Sequence, residues 1–292
     1  MMHAMSIIKK YIKQSATNIE CEGQGRLVDI DLVLDCGAFN GSYTAGVLLF
    51  LKELELQRKI KIDRISGSSS GSIFALLYLM DELDLSYEMY FIFAKQFKNE
   101  YNLNVFNKLF KRLKKIIITK FDGEEHFCKT LTSKLYITYY DIRKFKKITI
   151  SSYASLYELF SAIRKSCHVP FIVNGNMLYK QKYMDGFSPY CFNNNNKTKK
   201  TLFVELTKFE NLKNMLNITH EKDNSHRIIF GVIDAYVFFM KKKATSLCSY
   251  VIHGRPFIDY IKINLFENFI CSIFYILMIY TNTKRHHNHD NI

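Results

Sequence analysis

Along the chain, apolar and polar positions first take a regular order from Leu27 to Asp35, where Val28, Ile30, Leu32 and Leu34 alternate with Asp29 and Asp31 before Val33 joins an apolar end. This period of two predicts a strand. It runs into the small-residue stretch Cys36-Gly37-Ala38-Phe39-Asn40-Gly41. From Tyr43 to Leu56, Val47, Leu48, Phe50, Leu51 and Leu54 then recur at helical spacing. A second strand over Ile60 to Ile65 leads into Ser66-Gly67-Ser68-Ser69-Ser70-Gly71-Ser72 and an apolar helix from Ile73 to Met80, ended by Asp81 and Glu82. Two strand-turn-helix units in succession predict a parallel sheet covered by helices. Farther on, the pattern predicts a basic helix over Asn104 to Phe121, a short strand at Ile148 to Ser152 and a helix over Tyr157 to Arg164. A hairpin follows from Phe171 to Asp185 around Asn174-Gly175-Asn176, and then an apolar segment from Ile228 to Met240. The run Asn193 to Lys200 reads as an exposed loop.

Composition narrows the class. At 292 residues, 48% hydrophobic and 23% charged, the chain has the balance of a globular protein and enough length for one large core. Disorder throughout, a collagen-like repeat and a small disulfide scaffold are excluded. Seven scattered cysteines form no C-x-x-C pair and no cluster with histidine, which argues against a disulfide framework or a zinc site. No signal-peptide-like apolar stretch precedes Lys9 and Lys10, so a reducing, intracellular setting is the expectation. The formal charge of +14 points to an anionic partner. No zinc finger, helix-turn-helix or aromatic RNA-binding pattern accompanies it, so nucleic acid is not expected.

Gly67-Ser68-Ser69-Ser70-Gly71 fits G-x-S-x-G between a strand and a helix, the setting of a nucleophile elbow. The glycines permit a sharp turn that lifts the central Ser69 clear of the sheet, and the helix beginning there aims N–H groups at developing negative charge. The competing reading is a Ser/Gly loop that caps the helix. The earlier turn, Cys36 to Gly41, stands at the same carboxyl edge of the sheet and offers backbone N–H groups for an oxyanion.

Leu32 to Leu48, including the spacing from Gly41 to Gly46-Val47-Leu48, resembles the D-G-G-G-x-R-G segment and following helix of the patatin-like phospholipases. Ala162 to Phe171 resembles that family's stretch ending in proline, and Tyr183-Met184-Asp185-Gly186 looks like its D-G-[AG] motif. With the serine turn, these stand in the family's order over Leu27 to Pro189. The resemblance implies a three-layer α/β/α fold with a mostly parallel central sheet. It also implies a Ser/Asp dyad without metal or cofactor. Ser69 would attack a lipid ester carbonyl, Asp185 would take its proton, and the N–H groups of Gly37 and Ala38 would hold the oxyanion. A fatty acid would then leave an acyl-enzyme.

The sequence departs from that pattern at Cys36, Ala38 and Asn40 in the oxyanion turn and at Phe187 in the acid motif. Either the turn is reshaped or the site is silent, so a catalytically inactive lipid-binding member of the same fold is one alternative. A second is a serine esterase or thioesterase with a Ser/Asp/His triad through His220 or His226, although a charged loop and a solvated imidazole explain both histidines. His168 falls inside the proline motif, and His286, His287 and His289 read as a tail.

Lipid substrates imply a surface to bind. Lys108, Lys111, Arg112, Lys114 and Lys115 on the basic helix are candidates for an anionic membrane, against a helix packed on the sheet with solvated lysines. Phe269 to Tyr280 is apolar except for Ser272. Twelve helical residues reach ~18 Å against a ~30 Å hydrocarbon core, so an interfacial or buried helix is expected ahead of a tail anchor. The expected organisation is an extension over 1–26, the core motifs over 27–190, the rest of the domain with its Asn/Lys-rich loop over 191–262, and an apolar helix with a basic, His-rich tail over 263–292.

Overall fold

The computed structural model describes residues 2–20, 27–192, 199–207, 215–218, 220–251 and 265–280. Cys21, most of the Asn193–Lys200 run, Thr219 and the tail with its three histidines lie outside the described residues. The chain forms a three-layer α/β/α arrangement about one sheet. Its strands are β1 (Val28–Leu34), β2 (Ile60–Ser68), β3 (Leu135–Asp141), β4 (Lys146–Ile150), β5 (Tyr183–Asp185), β6 (Lys200–Val204) and β7 (Cys248–Tyr250). The order is β4-β3-β2-β1-β6-β7, with β5 paired to β3. The central strands β3, β2, β1 and β6 are mutually parallel; β4, β5 and β7 are antiparallel additions.

The helices in chain order are α1 (Met2–Thr17), α2 (Gly41–Leu56), α3 (Ser70–Met80), α4 (Leu85–Glu100), α5 (Phe106–Lys120), α6 (Glu124–Leu131), α7 (Leu156–Ser166), α8 (Ser225–Lys241) and α9 (265–280). Both predicted strand-turn-helix units are present. The alternation in β1 does not split into a wet and a dry face. Asp31 is fully buried, because a central parallel strand is covered on both sides, and its carboxylate is neutralised by Arg64 and by Lys199 at 2.9 Å. The expected hairpin over Phe171 to Asp185 is not formed. A compact turn closes through Phe171 N–H to Asn176 O at 2.9 Å, and only Tyr183–Asp185 is strand; it pairs along β3, and its antiparallel contact with upstream residues is the bridge from Tyr183 to Tyr179.

The N-terminal segment is part of the core. Ile8, Ile12 and Ala16 of α1 are buried in the main cluster, and Lys59 Nζ caps the carbonyls of Ala16, Thr17 and Ile19 at 2.6–2.9 Å. The basic helix α5 buries Phe106, Leu109, Phe110, Leu113 and Ile117 in the same cluster. Its cations face solvent, with Arg112 paired to Glu88 and Lys114 to Glu124, each at 2.8 Å. That apolar face is spent on the core, so α5 offers a membrane mainly charge, with Ile118 as an exposed apolar side chain beside it. Among the described residues, no helix is long and apolar enough to cross one.

Candidate active site

Ser69 is the single residue between β2 and α3. It takes φ 51° and ψ −127°, a conformation that costs a residue with a β-carbon about 1–3 kcal/mol. The glycines on either side allow it by close approach. A Cβ on Gly67 would meet Gly71 C and O at 2.5 Å, and one on Gly71 would meet Leu34 O at 2.5 Å. The G-x-S-x-G pattern therefore wedges the elbow against the end of β1. Polar groups of the proline motif hold it there. Ser69 N–H donates to Ser166 Oγ at 2.9 Å, which donates to Thr138 O at 2.7 Å. Ser69 O accepts from Ser72 Oγ at 2.6 Å and Cys167 Sγ at 3.1 Å.

Strand register brings Asp185 to this elbow. Ser68, the last residue of β2, pairs with Thr138, and Asp185, the last of β5, pairs with Tyr139 on the same edge of β3. The two strands abut end to end, which is why position 186 is glycine: a Cβ there would meet Thr138 O at 2.3 Å and Ser68 Oγ at 2.8 Å. Asp185 is 4% exposed. Its N–H donates to His168 O at 3.0 Å, and its Oδ1 accepts the Phe187 N–H at 2.9 Å. Oδ2 is buried with no hydrogen-bond partner. Burial, aided by Asp35, pushes the carboxyl up to about 7 against the opposing pull of the Ser69 hydroxyl, the Phe187 N–H and Lys147. The serine is thus close enough to stabilise the carboxylate, but the pair lacks the geometry of a formed hydrogen bond. Such a loose approach is common for a nucleophile and base without ligand.

The facing turn runs from Cys36 to Gly41, with Ala38–Asn40 in a 3₁₀ turn ahead of α2. Ala38 adopts φ 45°, so the cost of a β-carbon at positive φ falls there and not at Cys36. Gly37 is extended at φ −176°. It is glycine for space, since a Cβ would lie 2.4 Å from Leu206 Cδ1. Among the described residues, the N–H groups of Gly37 and Ala38 donate no hydrogen bond, whereas those of Cys36, Phe39 and Asn40 go to Asp35 Oδ1, Met215 O and Gly37 O. Phe39 packs edge-on against Tyr90 and Phe97, and Gly41 opens α2 where a Cβ would strike the Phe74 ring at 2.3 Å. The Cys36 thiol is pushed up by burial and by Asp35, Asp185 and Glu267, and stays protonated. An apolar cavity of about 90 Å³ lies between this turn and the elbow, lined by Ala38, Ser69, Ile73, Met89, Phe93 and Phe106 among others.

Three groups that shape the site had no assigned role in the sequence reading. Asp35 Oδ2 accepts Leu206 N–H, Thr207 N–H and Thr207 Oγ1 at 3.1, 3.0 and 2.5 Å, tying the Cys36–Gly41 turn to the end of β6. Arg227, 1% exposed, donates Nη1 to Asn40 Oδ1 at 2.6 Å and pairs with Glu221 at 2.5 Å. A buried guanidinium from α8 therefore supports the turn at the position where the family motif carries a cation of its own. Glu267 of α9, also 1% exposed, accepts Ser188 Oγ at 2.6 Å, Tyr140 Oη at 2.8 Å and Lys147 Nζ at 3.0 Å. Asp35 and Glu267 are charges beside apolar runs, a signal that sequence does carry, whereas Arg227 ends a charged run that gives none.

The histidines lie elsewhere. His168 is buried, its proton affinity lowered by burial, and its ring faces Tyr179. His226 is 3.5 Å from Glu221 with its side chain 58% exposed, and His220 is exposed. Among the described residues, no hydrogen bond or ion pair joins these imidazoles to Ser69 or Asp185.

An α/β/α sheet with a strained serine elbow, a neighbouring aspartate and open backbone donors defines the general class of α/β proteins with a serine site at the carboxyl edge of a parallel sheet. The patatin-like phospholipase family model matches residues 32–198, over half of the chain, and the chain belongs to that family. Its members are in general hydrolases of lipid acyl esters. No curated protein matched the sequence.

Proposed function

We propose that this chain is a lipid acyl hydrolase of phospholipase A or lysophospholipase type, working through Ser69 and Asp185. The observation that carries the reading is the abutment of β2 and β5, which sets a buried carboxylate oxygen without other partners beside a serine held at positive φ. Asp185, poised near neutrality, takes the Ser69 proton as Oγ adds to the ester carbonyl carbon. The Gly37 and Ala38 N–H groups donate hydrogen bonds to the developing oxyanion. Collapse of the intermediate breaks the carbonyl–alkoxide bond, and Asp185 returns the proton to the departing alcohol. Water, deprotonated by Asp185, then cleaves the acyl-enzyme to release a fatty acid and restore Ser69. The apolar cavity beside Ser69 suits the acyl chain. The strain accepted at Ala38 favours an active site over a silent one, since a chain without need of the turn gains by relaxing it. The placement of His220 and His226 on the surface favours the dyad over a triad.

The decisive assay is fatty acid release from phospholipid by the wild type, Ser69→Ala and Asp185→Asn. Ser69→Ala is expected to abolish release and Asp185→Asn to slow it ~10²–10⁴-fold, the usual worth of a general base. Equal rates in all three would refute the mechanism.

A further inference from the structure

Helix α9 is inverted relative to an ordinary surface helix. Its inward stripe carries the buried Glu267, Cys271 and Met278, together with Ile270 and Phe274 of the same apolar cluster. Its outward face is almost wholly apolar: Leu265, Phe266, Phe269, Ile273, Ile276 and Leu277 are all exposed, Phe266, Phe269 and Ile276 by 59%, 63% and 64%. A contiguous exposed face of this kind marks a site of interaction.

Three features identify what covers it. The first is charge. The ring of Phe145, at the tip of the β3–β4 hairpin, meets Tyr275 of α9 edge-on at 6.1 Å, and Arg143, Lys144 and Lys146 on that tip are all exposed. Cations bordering an apolar face match an anionic lipid surface, whose headgroups take the charge while its acyl boundary takes the rings. The second is position. The hairpin tip follows the carboxyl end of β3, as the oxyanion turn follows β1 and the Ser69 elbow follows β2, so all three crown the same sheet edge. β3 also runs three residues past its last pairing with β2, from Thr138 to Asp141, which sets the tip forward of the elbow. The third is coupling. Glu267 fastens α9 to Ser188, three residues after Asp185, and Phe187 lies in the same apolar cluster as Ile270 and Phe274. The bulky residue that departs from the family's acid motif thus packs where α9 docks.

We propose that α9 and the β3–β4 hairpin tip form a docking face for anionic membranes, laying the active-site edge of the sheet against the bilayer. The proposal rests on the reading of the chain as a lipid hydrolase only for its purpose, since binding is measured apart from turnover. A helix of 16 residues reaches ~24 Å, so it lies along the interface and does not span.

The test is flotation of full-length Ser69→Ala protein with vesicles of phosphatidylcholine alone or mixed with phosphatidylserine. On that background are placed the triple change Phe266→Gln, Phe269→Gln, Ile276→Gln and, separately, Lys144→Glu with Lys146→Glu. The parent is expected to float with the mixed vesicles and to be released by salt, and each variant to lose at least about tenfold in bound fraction. The same changes in the Ser69 enzyme are expected to leave turnover of a monomeric short-chain ester unaltered. The charge reversal leaves the apolar helix intact and so tests the face even if the triple change loosens α9. Undiminished flotation of both variants would overturn the proposal. So would a dimer in light scattering that the triple change dissociates without altering flotation, because a second copy would then be the occupant. Flotation as expected from a chain that hydrolyses no ester would uphold the docking face and refute the hydrolase reading alone.

Discussion

At the scale of single residues, the site is built from positions that tolerate something unfavourable. Ser69, Ala38 and Phe187 all hold positive φ without being glycine, at 51°, 45° and 52°. Each is over-determined by its surroundings: Ser69 by Ser166, Ser72 and Cys167, Ala38 by the bracing of the turn through Asp35 and Asn40, and Phe187 by the Asp185 carboxylate and the α9 cluster. Of the three, Ala38 offers the cleanest test, since only its backbone is assigned a role. Ala38→Gly is expected to raise stability by about 0.5–1 kcal/mol, relief of the β-carbon strain outweighing the entropy of the added glycine, with hydrolysis retained. Denaturant titration with a parallel turnover assay would check it, and a loss of stability would mean that the turn is less constrained than its dihedrals imply.

Between elements, close approach decides more than propensity does. α2 and α8 cross at two glycines that face each other's backbone: a Cβ on Gly46 would lie 2.0 Å from Ile228 O, and one on Gly231 would lie 2.1 Å from Tyr43 O. This crossing carries Arg227 to Asn40, so helix packing and the support of the proposed oxyanion turn are one arrangement. Gly46→Ala is expected to cost roughly 1–3 kcal/mol and to lower turnover in the surviving folded fraction, because the helices must separate. A thermal melt and activity per folded molecule would measure both effects. An unchanged melting temperature would contradict the crossing as described.

For the molecule as a whole, the governing quantity is how completely the fold excludes water from Asp185. Burial above all pushes its carboxyl up from the ordinary 3.8 to about 7. Two consequences run in opposite directions. As the proposed base, Asp185 works only when ionised, so kcat/KM is expected to rise with pH through about 7 and to level off above it. Because the folded pKa lies above the unfolded one, the folded state binds the extra proton between the two values and loses stability as pH rises across that window. Asp185→Asn should therefore stabilise the protein above about pH 7 while suppressing hydrolysis. A pH–rate profile and melts of both proteins at acid and alkaline pH would establish this pair, and a profile already flat across neutrality would refute it.

What could be read from the chain was what neighbours along it decide. The period of two in Val28 to Leu34, the helical spacing of Val47, Leu48 and Leu51, and a serine flanked by glycines are local patterns, and each forms close to where it was expected. β3 leaves no such pattern, because a strand buried on both faces shows no alternation, as Tyr-Ile-Thr-Tyr-Tyr illustrates. The Phe171 to Asp185 segment was misread because its strand finds a partner far away in sequence. The juxtaposition of Ser69 and Asp185 has a sequence signal only through motif order. Physically it depends on two strands meeting end to end along β3, and on the burial that lifts the aspartate toward neutrality. The support of Asn40 by Arg227, and the fastening of an apolar helix to the acid loop by Glu267, join residues 187 and 79 positions apart. No local pattern records such contacts; only the packed sheet and its helices bring them together.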